Sequence, residues 1–140
     1  RHGVELRSDV RAFLDEPRFG VLATINGDGS PQQTVMWYQV RGDTVMMNTA
    51  RGRKKDRNLL RDGRASLCIE EGYRYVTLDG TISLYENQEI AQADIAALAR
   101  RYHDPEEAER MILTAFQPQE RVSLILTVSR VETHGFDGEE

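Results

Sequence analysis

A single cysteine, Cys68, stands among 140 residues, which excludes an intramolecular disulfide and any cysteine-based metal cluster. Its place amid apolar residues leads us to expect a buried, inert thiol, and a chain without disulfides is expected in a reducing cytoplasm. The three histidines, His2, His103 and His134, are too scattered for metal-ligand spacing, and there is no HExxH motif. No metal site is therefore expected. No Ser–His–Asp ordering stands out, and "NGDGSP" (26–31) reads as a tight turn rather than a phosphate-binding glycine loop. No apolar run approaches the roughly 20 residues of a membrane-spanning helix, so no membrane association is expected. Internal repeats and low-complexity tracts are also missing. What is left is a single domain over residues 1–140, long enough to bury a core.

Charge is present but unevenly placed. The formal net charge is −5, yet seven of the basic residues fall between Arg51 and Arg64, opposed there only by Asp56 and Asp62. That segment carries +5 and the remainder −10. A duplex-binding protein usually presents a broad basic face, since each neutralised phosphate adds to affinity. One compact basic spot on an acidic chain favours a small anionic ligand over a nucleic acid.

Periodicity places the elements. "SDVRAFLD" (8–15) reads as a helix with Ser8 as N-cap, ended by Pro17. "FGVLATI" (19–25), "QQTVMWYQV" (32–40) and "TVMMNT" (44–49) read as strands of a meander. A short helix is expected from about Gly52 to Arg61, then strands at 65–70 and 73–86, the second bent at Gly80. Ala91, Ile95, Leu98 and Tyr102 share one helical face. Ala108, Met111, Ile112, Ala115 and Phe116 share a second after Asp104-Pro105. Residues 121–135 close the chain as a long strand buried on both faces at its centre. The expected class is mainly β with flanking helices (α+β): about six antiparallel strands in a small barrel.

In this arrangement Arg53, Lys54 and Lys55 open a helix. Cations there oppose the helix dipole, at roughly 0.3–1 kcal/mol each. A bound phosphate reverses that sign, because free N–H groups and the dipole both favour an anion. Arg53 offers a planar fork and Lys55 a point charge. A solvated helix face is the competing account of such a run. Position after a strand end, in an acidic chain, weighs for the anion site.

The stretches "FGVLATINGDGSPQQTVMWY", "NTARGRKKDRNLLRDGRASL" and "YRYVTLDGTISL" together resemble the pyridoxamine-phosphate-oxidase-like split β-barrel superfamily. The nearest likeness is to its flavin/deazaflavin oxidoreductases that use coenzyme F-420. The likeness spans about residues 8–134, and its specific parts are the "GxLATxxxDGxPxxxxxxY"-like opening and the "RxKxxNL" element at Arg53, Lys55, Asn58 and Leu59. It implies an FMN-binding-type split barrel, a homodimer, and cofactor grooves at the subunit interface. Arg53 and Lys55 match the cofactor-phosphate ligands, with Lys54 and Asn58 nearby. Asn48, Thr49 and Ala50 match the strand end approaching ribityl and phosphate. Thr34, Val35 and Met36 match the strand along the tricyclic ring, and Tyr73 and Tyr75 match aromatics supplied by the second subunit.

Two cofactors suit such a site, coenzyme F-420 and FMN. Arg51, Arg57 and Arg61 would attract the acidic tail of the deazaflavin, or are solvated helix charges. Relative to the vitamin B6 oxidases, "VETHGF" (131–136) puts Glu132 where the resemblance calls for a substrate-binding arginine, which argues against a phosphorylated substrate. The resemblance implies an F-420-dependent oxidoreductase that transfers hydride to an electron-poor double bond of a small organic acceptor. An FMN-dependent enzyme and a non-enzymatic flavin or tetrapyrrole carrier are the alternatives. No catalytic residue is assigned. Trp37 is expected either in the acceptor pocket or packed at a strand surface.

Overall fold

Small and β-branched residues with alternating burial form the first strand, β1 (Gly20–Ile25), and a two-sided hairpin joins it to β2 (Pro31–Met36). The turn between them is closed by the Asn26 N–H donating to the Ser30 carbonyl, with Gly29 at φ 89°. The computed structural model describes residues 3–137. Its remaining strands are β3 (Gln39–Arg41), β4 (Thr44–Ala50), β5 (Arg64–Glu71), β6 (Arg74–Tyr85) and β7 (Arg121–His134). The helices are α1 (Ser8–Asp15), α2 (Lys54–Arg61), α3 (Gln88–Tyr102) and α4 (Pro105–Met111), and α4 runs on into a π-helical turn over Ile112–Phe116.

All strand pairs are antiparallel, in the order β2-β1-β5-β6-β7-β4-β3. The two edge strands are joined by Trp37 and Tyr38 alone, so Met36 and Gln39 lie within roughly 11 Å of each other. A seven-stranded sheet whose edges are that close is rolled into a barrel split between β2 and β3. The roll is helped at Asp79/Gly80, where the β6–β7 register shifts. A Cβ on Gly80 would lie 1.9 Å from the Thr127 carbonyl oxygen, so only glycine permits that approach.

Strand alternation divides the interior. Val45 and Met47 of β4 point into the barrel with Leu22, Leu67, Leu78 and Leu124, and α1 closes that core with Val10, Phe13 and Leu14. Met46, between them, faces outward beneath Ile95 and Leu98 of α3. That outer face of β4 and β7 is where the groove described below forms.

Three sequence expectations are corrected. The strand expected over residues 32–40 is two strands, making seven rather than six. Trp37 and Tyr38 leave the sheet because distant side chains take up their backbone groups: Tyr38 N–H donates to Tyr102 Oη (3.1 Å), and Arg101 Nε donates to the Tyr38 carbonyl (2.8 Å). Ser8 is the first residue of α1 and not its cap, which is Arg7. Cys68 is half-buried rather than buried, since its neighbours Leu67 and Ile69 are the residues of β5 that fill the core.

Candidate functional site

β4 ends at Ala50, and Gly52 at φ 90° turns the chain into α2. Asp56, 1% exposed, holds this corner: it accepts hydrogen bonds from the Gly52 N–H (2.8 Å) and from Arg51 Nε (3.0 Å). Arg53 then occupies the N-cap position of α2 with no side-chain cap, leaving first-turn N–H groups without an intrahelical acceptor. Lys54 and Lys55 follow as the first helical residues, so the helix begins two residues after the expected start near Gly52.

A groove of about 270 Å³ opens beside this corner. Its polar end is formed by Arg53, Lys55 and Arg121, with Asn48, Thr49 and Ala50 along the strand end. Its apolar walls come from three directions: Phe19, then Val35, Met36 and Trp37 at the barrel split, then Ile95, Leu98 and Phe116 from the helical layer. Trp37 stacks on Tyr102 at 5.3 Å between centroids and meets Phe116 edge-on at 6.2 Å, so it is held as part of the wall. The volume sits just below the roughly 300–1,000 Å³ usual for ligand pockets.

The polar end is unusual in its electrostatics. Lys55 is 8% exposed and Arg121 6% exposed, and among the described residues no carboxylate pairs with Arg53, Lys55 or Arg121. Burial, then repulsion from Arg53 and Arg121, holds the Lys55 ammonium below its usual pKa. Burial and the nearby Arg53 bring Arg121 down to about 10. Buried cations are normally paired, since desolvation otherwise opposes their charge. Three converging cations without a counter-ion, at an uncapped helix start, suit a phosphate or similar anion.

Of the residues singled out in the sequence, Val35, Met36, Asn48, Thr49, Ala50, Arg53 and Lys55 meet at this groove. Trp37 lines it too. Thr34 does not; its hydroxyl is buried with no hydrogen-bond partner among the described residues. Lys54 and Asn58 face a separate shallow hollow beside the Asn26–Ser30 turn. The Asn58 amide donates to Thr24 Oγ1 (3.1 Å) and Asn26 Oδ1 (3.0 Å), tying α2 to β1. Tyr73 and Tyr75 lie at the β5–β6 hairpin, 75% and 40% exposed, with Tyr75 stacked on His134 at 5.1 Å. The groove lining includes neither tyrosine.

The surplus cations have other duties. Arg51 pairs with Asp56 and Glu86, Arg57 donates to the Gly52 carbonyl, and Arg61 donates to the Ile25 carbonyl and to Asn58. Sequence reasoning missed Arg121, Phe19, Ile95, Leu98 and Phe116. Arg121 pairs with Ala50 in the β4–β7 register, which brings it to the groove. An arginine opening a strand whose centre is buried on both faces was the one available signal.

Among the described residues no helix is long and apolar enough to cross a membrane, and no group of His, Cys, Asp and Glu could hold a metal ion. The F-420H2-dependent biliverdin reductase of Mycobacterium tuberculosis is 26% identical over 114 residues, covering 80% of this chain and 83% of its own. A conserved hypothetical protein of the same organism superposes with a TM-score of 0.79 at 28% identity, over 94% of this chain and 86% of that one. An F-420 reductase superposes with a TM-score of 0.73 at 20% identity, over 91% and 98% of the two chains, a likeness of fold. The family model for pyridoxamine 5'-phosphate oxidase matches residues 6–135, nearly the whole split barrel, and this chain belongs to that family.

Proposed function

We propose that this protein is an oxidoreductase that binds coenzyme F-420 in the groove and reduces an electron-poor double bond of a small organic acceptor. The observation that carries the reading is the unpaired cationic end, Arg53 and Lys55 beside the uncapped start of α2, joined to an apolar slot. That pairing fits a planar ring system bearing a phosphate. The F-420 dependence named for the 26% identical relative supports the deazaflavin. When bound, the reduced deazaflavin supplies the hydride.

The chain's own residues then do three things. Arg53, Lys55 and the first-turn N–H groups hold the phosphate. Val35 and Met36 at the barrel split lie along the ring. Trp37, Phe19, Ile95, Leu98 and Phe116 exclude water and orient the acceptor. None of the groove-lining residues of one copy is a carboxylic acid or a histidine. The modest volume of the groove in one chain fits completion by a second copy, whose hairpin carries Tyr73 and Tyr75. We propose a homodimer on that ground.

FMN is the second reading, and one observation favours it. Arg51, Arg57 and Arg61 would attract an acidic tail, yet each is engaged within the fold. Reduction or oxidation of a phosphorylated vitamin is disfavoured, because the exposed Glu132 on β7 pairs with Arg130 and offers no cation.

Fluorescence titration of the purified protein with F-420 and with FMN tests the reading. Micromolar or tighter F-420 binding, followed by oxidation of its reduced form by quinones, nitroaromatics or α,β-unsaturated carbonyls, is the expected result. Tight FMN binding with no F-420 binding would overturn it, and F-420 binding without turnover on any acceptor would favour a carrier.

A further inference from the structure

We infer that Arg121 is a third ligand of the cofactor phosphate and that Asp94, on α3, positions it through Ser123 and Asn48. The inference rests on the reading above that a phosphate-bearing cofactor occupies the groove. It concerns residues that neither the basic run nor its motif includes.

The direction of every hydrogen bond in this chain follows from one end. Asp94, 5% exposed, is a carboxylate and can only accept. It accepts from Arg41 Nη1 at 2.8 Å and from the Ser123 hydroxyl at 2.6 Å. Having given its one proton to Asp94, Ser123 Oγ must accept, and the Asn48 amide nitrogen donates to it at 3.2 Å. The same nitrogen donates to the Ala91 carbonyl at 2.9 Å. Both Asn48 donors are thus used, and its carbonyl oxygen is turned toward Arg121, whose Nε donates to it at 2.9 Å.

The sheet register explains why these groups meet. Asn48 pairs directly with Ser123 and Ala50 with Arg121, so all four share the face that α3 covers. Arg121 is further held by Gln119 and lies over the Phe116 ring at 5.0 Å. Its Nη2 carries no hydrogen bond among the described residues, and no carboxylate neutralises it, although its side chain is almost wholly buried at the groove wall. A guanidinium aimed by neutral acceptors keeps its full charge for a ligand, whereas Arg51, paired with Asp56, does not.

The test compares FMN with riboflavin, which differ only by the phosphate, and F-420 with its deazariboflavin core, which lacks the phosphate and the acidic tail beyond it. Wild type is expected to prefer the phosphorylated member of each pair. Arg121→Gln should weaken FMN and F-420 binding by roughly tenfold or more with little change for the phosphate-free ligands. Arg121→Lys should recover part of the loss. Ser123→Ala and Asp94→Asn, which leave Arg121 present but unaimed, should lose roughly three- to tenfold in the same selective sense. Ser123→Ala removes a single oxygen and carries the test if Arg121→Gln does not fold. Equal losses for both members of a pair, or none, would overturn the inference. A wild-type protein indifferent to the phosphate would instead overturn the cofactor-phosphate reading beneath it.

Discussion

Arg51 Nε lies 3.0 Å from Oδ2 of Asp56, a carboxylate only 1% exposed in the first turn of α2. This contact sorts the basic run into two kinds of cation. Arg51 neutralises a buried acid and shapes the corner, which leaves Arg53 and Lys55, two and four residues on, without a carboxylate partner among the described residues. Removing Arg51 strands a buried carboxylate that, among the described residues, keeps only its bond from the Gly52 N–H. Arg51→Ala should therefore destabilise the fold by about 2 kcal/mol, read as a lower urea midpoint at unchanged slope.

The opposite behaviour is expected at the groove. Arg53→Ala combined with Lys55→Ala removes two like charges that repel each other and Arg121. Apo stability should hold or rise, while affinity for the phosphorylated cofactor falls at least tenfold, about 1.4 kcal/mol. Thermal melts with and without cofactor separate the two effects. A double mutant that binds as tightly as wild type would remove Arg53 and Lys55 from the site.

Lys55 also sets a pH dependence. Its folded pKa is lowered, first by burial and then by Arg53 and Arg121, from the ordinary value of 10.5. Between the lowered folded pKa and 10.5 the unfolded chain binds more protons than the native one. Apo stability from this residue therefore rises with pH across that window. Phosphate binding runs the other way and weakens as Lys55 loses its proton. In Lys55→Met both slopes should flatten, as seen in melts and titrations from pH 7 to 10.

Gly80 should tolerate no side chain. A methyl group there would meet the Thr127 carbonyl at 1.9 Å, with backbone on both sides of the clash. Gly80→Ala should cost on the order of 3 kcal/mol and show as a lower melting temperature. The loss should be far smaller for Gly29→Ala, where nothing lies within 4 Å and only the positive φ opposes the change.

The proposed homodimer has its own readout. Tyr73, 75% exposed at the β5–β6 hairpin, is proposed to line the second copy's groove. Tyr73→Asp should shift sedimentation toward the monomer and weaken cofactor binding together. Dissociation without any change in cofactor affinity would separate the hairpin from the groove.

Much of this was written in local pattern. The strands at "FGVLATI" and "TVMMNT", the glycine-marked bend in β6 and the α3 face at Ala91, Ile95 and Leu98 all depend on neighbours a few residues apart, and all appear as expected. The break at Trp37 and Tyr38 does not, because its cause is Arg101 and Tyr102, more than 60 residues away. The half-burial of Cys68 likewise depends on which face of β5 the core claims.

The same division holds for the site. The amino-acid sequence alone determined that an acidic chain concentrates its positive charge where a strand passes into a helix, since composition and periodicity are local properties. Only the tertiary structure decided which of those charges remain available. Asp56 and Glu86 take Arg51, and backbone carbonyls take Arg57 and Arg61. In their place β4–β7 pairing brings Arg121 from the far end of the chain. Charge is encoded residue by residue, but whether it is neutralised depends on contacts between segments that only the folded barrel brings together.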